Sequence, residues 1–372
     1  MSKEGKIVFI AVYLLVSLGI VMTYSSSAIY AEQTFKNAAY FLNRQVLYAL
    51  IGTVFLFFAA AQDPYLWKEH ARELVIFSLI LLALVFLPVV GHMAGGARRW
   101  IRLGPVNFQP AEVSKLVICV YLSDYLSRRI KGIQRGEFSL LIPPILVLGL
   151  TCGLILIQPD LGSSVFIFVL AAILFFLAGI RMRYVVFASL VFLPVVYFLV
   201  IQVPYRMSRV TAYLNPWLDP QGSGFQIIQS LLAFGMGGVR GVGLGESMQK
   251  LFYLPQSYND FIYSIIGEEL GLIGTASVLI LYGVIFLAGM KIARRAQGNF
   301  GKLFVTSLVL IVVLQAIINM LVATGLIPTK GLPLPFVSYG GSSLVFNLFG
   351  VGLLLAMDRA IQSGKRSVGR IE

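Results

Sequence analysis

Ten stretches of nearly uninterrupted apolar residues divide the chain: 7–27, 44–62, 73–90, 110–127, 139–157, 162–180, 184–202, 262–290, 302–325 and 342–361. Each is near the ~20 residues an α-helix needs to cross a bilayer. The pattern predicts an all-α polytopic membrane protein of about ten transmembrane helices, both chain ends on one side. The connections are short and polar, with one exception at 203–261. There Tyr205, Tyr213, Trp217, Phe225 and Phe234 are too many aromatics for a solvated linker. The sequence therefore predicts a long structured loop between helices 7 and 8. Within it Phe225, Ile228 and Leu232 share one helical face that Gln226, Gln229 and Ser230 avoid, as in a helix lying on a membrane surface. Residues 1–372 read as a single transmembrane domain carrying this loop and a short cytoplasmic tail, 362–372.

The loop delivers the chain to 251–274, where Pro255 and the Ser-Tyr-Asn run after it predict a helix entry. Asn259 or Ser257 is the expected N-cap, and Asp260 falls in the first turn, where a carboxylate suits the positive end of the dipole. With about 100° per residue, Ser264, Gly267, Gly271 and Gly274 lie within about 40° of Asp260, so one acid heads a stripe of small residues. Small residues let a neighbouring helix approach closely. Continued to Met290 this helix would be about 46 Å long, against about 30 Å of hydrocarbon. Its first turns, and Asp260 with them, should stand at the water interface. Glu269 is expected to be an ion-paired structural acid on the opposite face.

Composition agrees with a membrane chain: 58% hydrophobic and 12% charged, with a mean hydropathy of +0.87. Lys and Arg decide the orientation. Placing the N-terminus inside puts 18 of the 29 basic residues in inner segments and ten in outer ones, with Lys115 inside a span. This favours an N-in, C-in arrangement. Basic loops at an anionic inner leaflet account for most of the net charge of +13, so no nucleic-acid partner is implied. The ten outer cations run against topology selection and point to an anionic ligand outside, lipid phosphate being the obvious one. Cys119 and Cys152 fall within spans, and no disulfide framework or zinc spacing exists. A cleaved signal peptide is rejected because the apolar run from Ile7 to Tyr24 is too long.

Several outer segments carry candidate chemistry. Arg98, Arg99 and Arg102 surround Trp100 in what reads as a membrane-hugging amphipathic patch; arginine's fork suits phosphate oxygens, though Arg and Trp are also ordinary interface anchors. Pro110 opens a helix on which Glu112 and Lys115 share a face, either as an internal ion pair or as a site wall. Gln158-Pro159-Asp160 echoes Gln109-Pro110-Ala111-Glu112, a Gln-Pro pair opening a helix with an acid in its first turn. The glycine-rich run 235–247 excludes a dinucleotide fold, since no strand precedes it. Its backbone N–H groups could hold a phosphate with help from Arg240, or the run could be a hinge. Prolines and glycines of 324–343 predict a rigid loop holding Lys330.

In order along nearly the whole chain, seven motifs stand out: Trp100 with its arginines; Gln109-Pro110-Ala111-Glu112; Gln158-Pro159-Asp160-Leu161-Gly162; Asn215-Pro216-Trp217 with Asp219-Pro220; Gly243-Leu244-Gly245; Tyr253-Leu254-Pro255 with Asp260-Phe261-Ile262; and Pro328-Thr329-Lys330-Gly331 to Ser338-Tyr339-Gly340-Gly341-Ser342-Ser343. Together they resemble the SEDS family of shape, elongation, division and sporulation proteins. The Ile-Gly-Glu-Glu-Leu-Gly and Pro-Thr-Lys-Gly tracts look more like the division and sporulation branch than the elongation branch, whereas Phe252 departs from a division pattern that can carry an acid there. The resemblance implies ten spans and a glycosyltransferase that polymerises lipid II at the outer face of the bacterial cytoplasmic membrane. It also implies a class B penicillin-binding protein as partner, among other divisome or elongasome membrane proteins.

Carried onto this chain, the resemblance makes Asp260 the essential acid of the long loop. Glycosyl transfer from a sugar pyrophosphate needs a base for the acceptor hydroxyl and positive charge on the leaving group. Asp260 is expected to be that base, or to bind an assisting Mg²⁺ or Mn²⁺; no organic cofactor is expected. Candidate substrate-binding residues are Arg98, Arg99, Trp100, Arg102, Glu112, Lys115, Asp160, Arg206, Arg209, Arg240, Lys330 and Ser342. Inversion at the anomeric carbon would follow, since no second carboxylate is placed as a nucleophile. The rivals are a lipid II flippase, which would bind near the midplane, an elongation-type polymerase, and a scaffold that would tolerate loss of Asp260.

Overall fold

The computed structural model describes residues 1–94, 97–103, 106–251 and 253–364. Phe252, the Gly104-Pro105 pair and the tail from 365 onward, with Lys365, Arg366 and Arg370, lie outside the described residues. Helices dominate. They are α1 (Lys3–Phe35), α2 (Tyr40–Ala61), α3 (Pro64–Glu69), α4 (Ala71–Leu84), α5 (Pro110–Arg135), α6 (Ile142–Ile157), α7 (Leu161–Leu177), α8 (Met182–Ile201), α9 (Pro204–Leu214), α10 (Phe225–Gly237), α11 (Ile262–Arg295), α12 (Gly298–Ala323) and α13 (Gly341–Gln362).

Each of the ten apolar runs falls on one of these helices, and among the described residues six helical segments are both long and apolar enough to cross a membrane: Lys3–Phe35, Tyr40–Ala61, Phe138–Ile157, Ile262–Arg295, Gly298–Ala323 and Gly341–Gln362. α12 and α13 are the most enclosed of the six. Around them one hydrophobic cluster runs from Val8 on α1 to Met357 on α13.

Polar contacts show which helix ends lie together. The Ser2 amide donates to the Asp358 carboxylate at 2.7 Å, Glu4 pairs with Arg295 at 2.5 Å, and Arg359 donates to the Ala61 carbonyl at 2.8 Å. The start of α1 and the ends of α2, α11 and α13 therefore share one end of the bundle. Chain start and described chain end meet there.

The purely helical expectation needs correction at 91–108. There a three-stranded antiparallel meander forms from β1 (Gly91–Ala94), β2 (Ala97–Leu103) and β3 (Val106–Phe108). Gly91 faces Ile101 and His92 faces Trp100, with a bulge between His92 and Met93; Ile101 faces Phe108 and Arg102 faces Asn107. The arginine and tryptophan patch is therefore a strand, whose side chains alternate between faces. Ile101 is buried, Arg99 and Trp100 are half-buried, and Arg98 and Arg102 are exposed.

A second correction concerns the helix expected to run unbroken from Asp260. α11 begins at Ile262 behind an uncapped Phe261, and Asp260 sits in the turn before it. Gly271 then breaks the helix with φ 64° and ψ −160°, so a nine-residue first segment precedes the long second one. The glycine-rich run fills the break. Leu272 and Ile273 donate to the carbonyls of Gly238 and Val239 at 2.9 and 3.2 Å, while Val242 and Gly243 donate to those of Glu268 and Glu269 at 2.9 and 3.1 Å. Backbone groups orphaned by the break are thereby satisfied. Two of the amides of this run, those of Val242 and Gly243, are spent on α11.

The small-residue stripe does pack a neighbour. α10 lies on it through Ser230, whose hydroxyl is 2.5 Å from that of Ser264, and through Gly237, where a Cβ would overlap the Gly267 carbonyl. The buried face of α10 is Ile227, Ile228, Ser230, Ala233 and Gly237, and Leu232 is exposed. Of the apolar face read from the sequence, Ile228 is buried, Phe225 is half-buried and Leu232 is exposed. Small side chains permit the close backbone approach of α10 to α11.

Candidate active site

Asp260 lies at the other end of the bundle, opposite the chain ends. Its backbone is held from three sides. Asn319 on α12 donates its amide to the Asp260 carbonyl at 2.9 Å and to the Leu332 carbonyl at 2.9 Å. The Ser338 hydroxyl donates to the Asn259 carbonyl at 2.6 Å, and the Tyr339 amide to the Tyr258 carbonyl at 3.0 Å. The 258–260 turn is thus clamped against the 328–340 loop.

The carboxylate itself is free of such ties. Among the described residues, Asp260 Oδ1 is enclosed and has no hydrogen-bond partner, while a Cβ built on Gly331 would stand 3.5 Å from Oδ2. Burial pushes the Asp260 carboxyl up to about 6, and the charges of Arg209 and Arg99 pull it back. Arg99 turns inward from β2 and donates to the carbonyls of Gln158 and Pro159 at 3.2 and 2.7 Å. Arg209, on α9, donates to the Thr329 carbonyl at 3.2 Å. Next to Thr329, Lys330 is half-buried, and burial lowers its pKa; its Cβ lies near Gly162, at the start of α7. Arg99 and Arg209 therefore act on Asp260 from two different elements, and Lys330 neighbours Gly331, the glycine beside its Oδ2.

Other candidates are placed differently. Lys115 is 1% exposed; it pairs with Glu112 at 2.7 Å, donates to Gln315 Oε1 at 2.8 Å and lies 5.3 Å from the Phe166 ring centroid. Of the two readings for this pair, the internal ion pair is the one observed. Asp160 caps α7, accepting from the Ser163 amide and hydroxyl at 3.0 and 2.8 Å and from Gln109 at 3.2 Å. Ser342 accepts from the Gln109 amide at 3.1 Å and donates to the Asn107 carbonyl at 2.9 Å, tying β3 to α13. Both acids and Ser342 thus brace the site. Arg206 sits one turn before Arg209 on α9. Arg240 is exposed on the glycine run, at the level of the α11 break, so about two helical turns separate it from Asp260. Arg98, Trp100 and Arg102 stand on the outward face of β2.

Glu269 pairs with Lys250 at 3.1 Å and accepts from Ser25 at 2.7 Å, as expected of a structural acid. Glu268 accepts from the Ser247 hydroxyl and, at 2.8 Å, from the Met248 amide. Residues that sequence reasoning passed over are Asn319 and Gln315, the latter donating to the Pro333 carbonyl at 2.8 Å. Their signal was two amides four residues apart in an apolar span, where polar side chains commonly bond to a neighbouring segment.

Beside the site an apolar groove of about 730 Å³ opens between α2, α4, α5 and α13, with Phe55, Trp67, Phe77 and Phe349 along it and Ile101, Phe108 and Ser342 at its sheet end. Ile101 and Arg99 share a face of β2, so one strand joins the groove to the charged cluster. A cation cage built by the protein alone does not fit: no group of three His, Cys, Asp or Glu side chains gathers among the described residues.

Comparison with known proteins places this arrangement. Residues 6–363 match the cell cycle protein family that groups FtsW, RodA and SpoVE. A probable peptidoglycan glycosyltransferase FtsW of Geobacter sulfurreducens is 44% identical, over 97% of this chain and 96% of that protein. Stage V sporulation protein E of Bacillus subtilis is 41% identical, over 96% and 98%. A chain from a peptidoglycan synthase complex superposes with a TM-score of 0.77 at 31% identity, covering 95% of this chain and 97% of that one. The rod shape determining protein RodA of Thermus thermophilus gives 0.70 at 28%, covering 95% and 96%. The motif order, the multi-pass helical bundle and these likenesses lead to one conclusion: the chain belongs to the FtsW/RodA/SpoVE family of SEDS proteins, on its FtsW/SpoVE side.

Proposed function

We propose that this protein is a peptidoglycan glycosyltransferase of cell division that polymerises lipid II into glycan strands at the outer face of the bacterial cytoplasmic membrane, through ten N-in, C-in spans. The observation that carries the reading is Asp260: a carboxylate with one enclosed, unpartnered oxygen and a pKa raised to about 6, faced by the charges of Arg209 and Arg99. Perturbed acids with a charge partner cluster at functional sites, and a base near the working pH transfers protons efficiently.

The acceptor sugar hydroxyl attacks the anomeric carbon of the donor, and Asp260 takes its proton. As the new C–O bond forms, the bond to the pyrophosphate breaks, and the lipid pyrophosphate leaves with the electron pair. Arg99, Arg209 and Lys330 offset the charge developing there. Among the described residues the buried acids at this end other than Asp260, namely Glu112, Asp160, Glu268 and Glu269, are committed to hydrogen bonds or ion pairs. A single displacement with inversion is the consequence. The apolar groove suits an isoprenoid tail lying in the bilayer while the headgroup reaches Asp260. A Mg²⁺ or Mn²⁺ ion would take Asp260 as its one protein carboxylate and substrate phosphates for the rest; the steps above are derived without it.

A class B penicillin-binding protein is the expected partner, supported by the likeness to a chain of a peptidoglycan synthase complex. The transport reading loses its main support, because Lys115 and Glu112 are spent on each other. The test is glycan polymerisation from lipid II by purified protein, with and without Mg²⁺ or Mn²⁺ and the partner. Strands from wild type and none from Asp260→Asn are expected; equal polymerisation by both would overturn the role of Asp260.

A further inference from the structure

We infer that Asn319 is a positioning residue, which sets the candidate base Asp260 and the Lys330 loop in register by bonding one amide to both backbones. The inference rests on reading Asp260 as the base. Asn319 is 1% exposed, four residues after Gln315 on α12. Its Nδ2 donates at 2.9 Å to the Asp260 carbonyl and at 2.9 Å to the Leu332 carbonyl, so both amide hydrogens are used, on two segments far apart in sequence. Neither segment is fixed by a regular ladder. Asp260 lies in a turn before α11, and 327–334 has no helix or strand of its own.

The geometry at Asp260 depends on that shared donor. Gly331, beside Leu332, is the residue whose Cβ position lies 3.5 Å from Asp260 Oδ2. Lys330 and Thr329, the latter holding Arg209, precede it directly. Moving the Leu332 carbonyl relative to the Asp260 carbonyl therefore moves two cations relative to the carboxylate. Packing alone would be approximated by a leucine, which has the same number of heavy atoms branched at the same place. Register would not, because leucine donates nothing, and the two carbonyls would be left buried without their partner. Asn319 touches no reacting atom, so its contribution is to orientation, where displacements of about 1 Å cost about 100-fold in rate.

Steady-state polymerisation by full-length Asn319→Leu, with Asn319→Asp as a second variant should the first fail to fold, provides the test. We expect kcat to fall at least 30-fold with KM for lipid II within threefold, and the acid limb of the pH–rate profile to move from its wild-type position. Thermal unfolding reports the folded fraction to which kcat is normalised. Wild-type kcat in a folded variant, or a loss explained by the unfolded fraction with an unmoved acid limb, would overturn the inference. Asp260→Asn, run alongside, separates the two failures: if it is inactive while Asn319→Leu is normal, only the role of Asn319 falls. An active Asp260→Asn takes the base assignment with it.

Discussion

The Leu272 amide, inside a helix of 34 residues, donates to the carbonyl of Gly238 at 2.9 Å, thirty-four positions upstream. The break at Gly271 is therefore a joint in which the long loop supplies the hydrogen bonds that helix geometry would otherwise make. It also separates the short segment behind Asp260 from the membrane-crossing remainder of α11. Lys250 and Ser247, which hold Glu269 and Glu268, secure the loop beyond the joint.

Alanine at Gly241 tests the joint. Gly241 has φ 79°, a conformation that costs a residue with a Cβ about 1 kcal/mol or more, and its Cβ would overlap the Glu269 carbonyl. Gly241→Ala should destabilise the protein by about 2–4 kcal/mol and lower polymerisation. Gly235, on exposed helix with open space around it, should instead accept alanine with a gain of up to about 1 kcal/mol. Thermal unfolding of both variants in one detergent decides the matter.

The buried Lys115 and Glu112 pair predicts a non-additive pattern. Lys115→Met leaves a carboxylate without its partner inside the bundle and should cost about 3–5 kcal/mol. The double variant Glu112→Gln with Lys115→Met removes both charges and should recover more than half of that loss. A thermal-unfolding cycle over the four proteins measures the coupling. A Lys115 that served mainly to bind pyrophosphate would give additive, small stability changes instead.

Most of the helical frame was legible because hydrophobic runs of bilayer length have few alternatives in lipid. The nearness of Arg99 and Arg209 to Asp260 and the ion pair of Glu269 were likewise readable from charge placement. What escaped has specific causes. The meander at 91–108 is short, and its Gly95-Gly96 and Gly104-Pro105 pairs were available as turn signals, but three arginines around a tryptophan drew the reading towards a membrane patch. The joint at Gly271 escaped because a glycine in a small-residue stripe fits close packing as well as it fits a break. Local pattern does not reveal that residues 238–243 will supply the missing hydrogen bonds. Lys115 and Ser342 look like ligands in sequence. Only the fold shows their polar atoms taken by Glu112 and Gln315, and by Gln109 and Asn107.

Asp260 sets opposite requirements on activity and stability. Its carboxyl is raised from 3.8 to about 6 by burial. A carboxyl raised on folding favours the folded state when protonated, so its destabilising effect is absent below the unfolded value and complete above about pH 6. Asp260→Asn should consequently be more stable than wild type at pH 7.5, by no more than about 3 kcal/mol, while polymerisation falls at least 100-fold. At pH 4 the two melting temperatures should converge. Catalysis by the ionised base runs the other way, its rate dropping as pH falls through about 6. Calorimetric scans across pH, paired with rate profiles, read both.

Strand alternation makes Arg98 and Arg99, adjacent in sequence, different in consequence. Arg99 faces inward, is held by the Gln158 and Pro159 carbonyls, and lowers the pKa of Asp260. Arg98 is exposed on the other face of β2, where water screens its charge. Removing Arg99 withdraws a positive charge that favours the carboxylate, so Arg99→Ala should raise the Asp260 pKa above about 6 and carry the acid limb of the rate profile to higher pH. Its kcat at pH 7 should fall at least tenfold, from a smaller ionised fraction and from lost charge at the leaving group. Arg98→Ala should leave the acid limb in place and affect the rate less than threefold at 150 mM salt, since about 8 Å of screening separates exposed charges from their targets. Rate profiles between pH 5 and 8 for the two variants distinguish an inward arginine from an outward one, and equal shifts in both would show that β2 does not present its arginines to the site in this way.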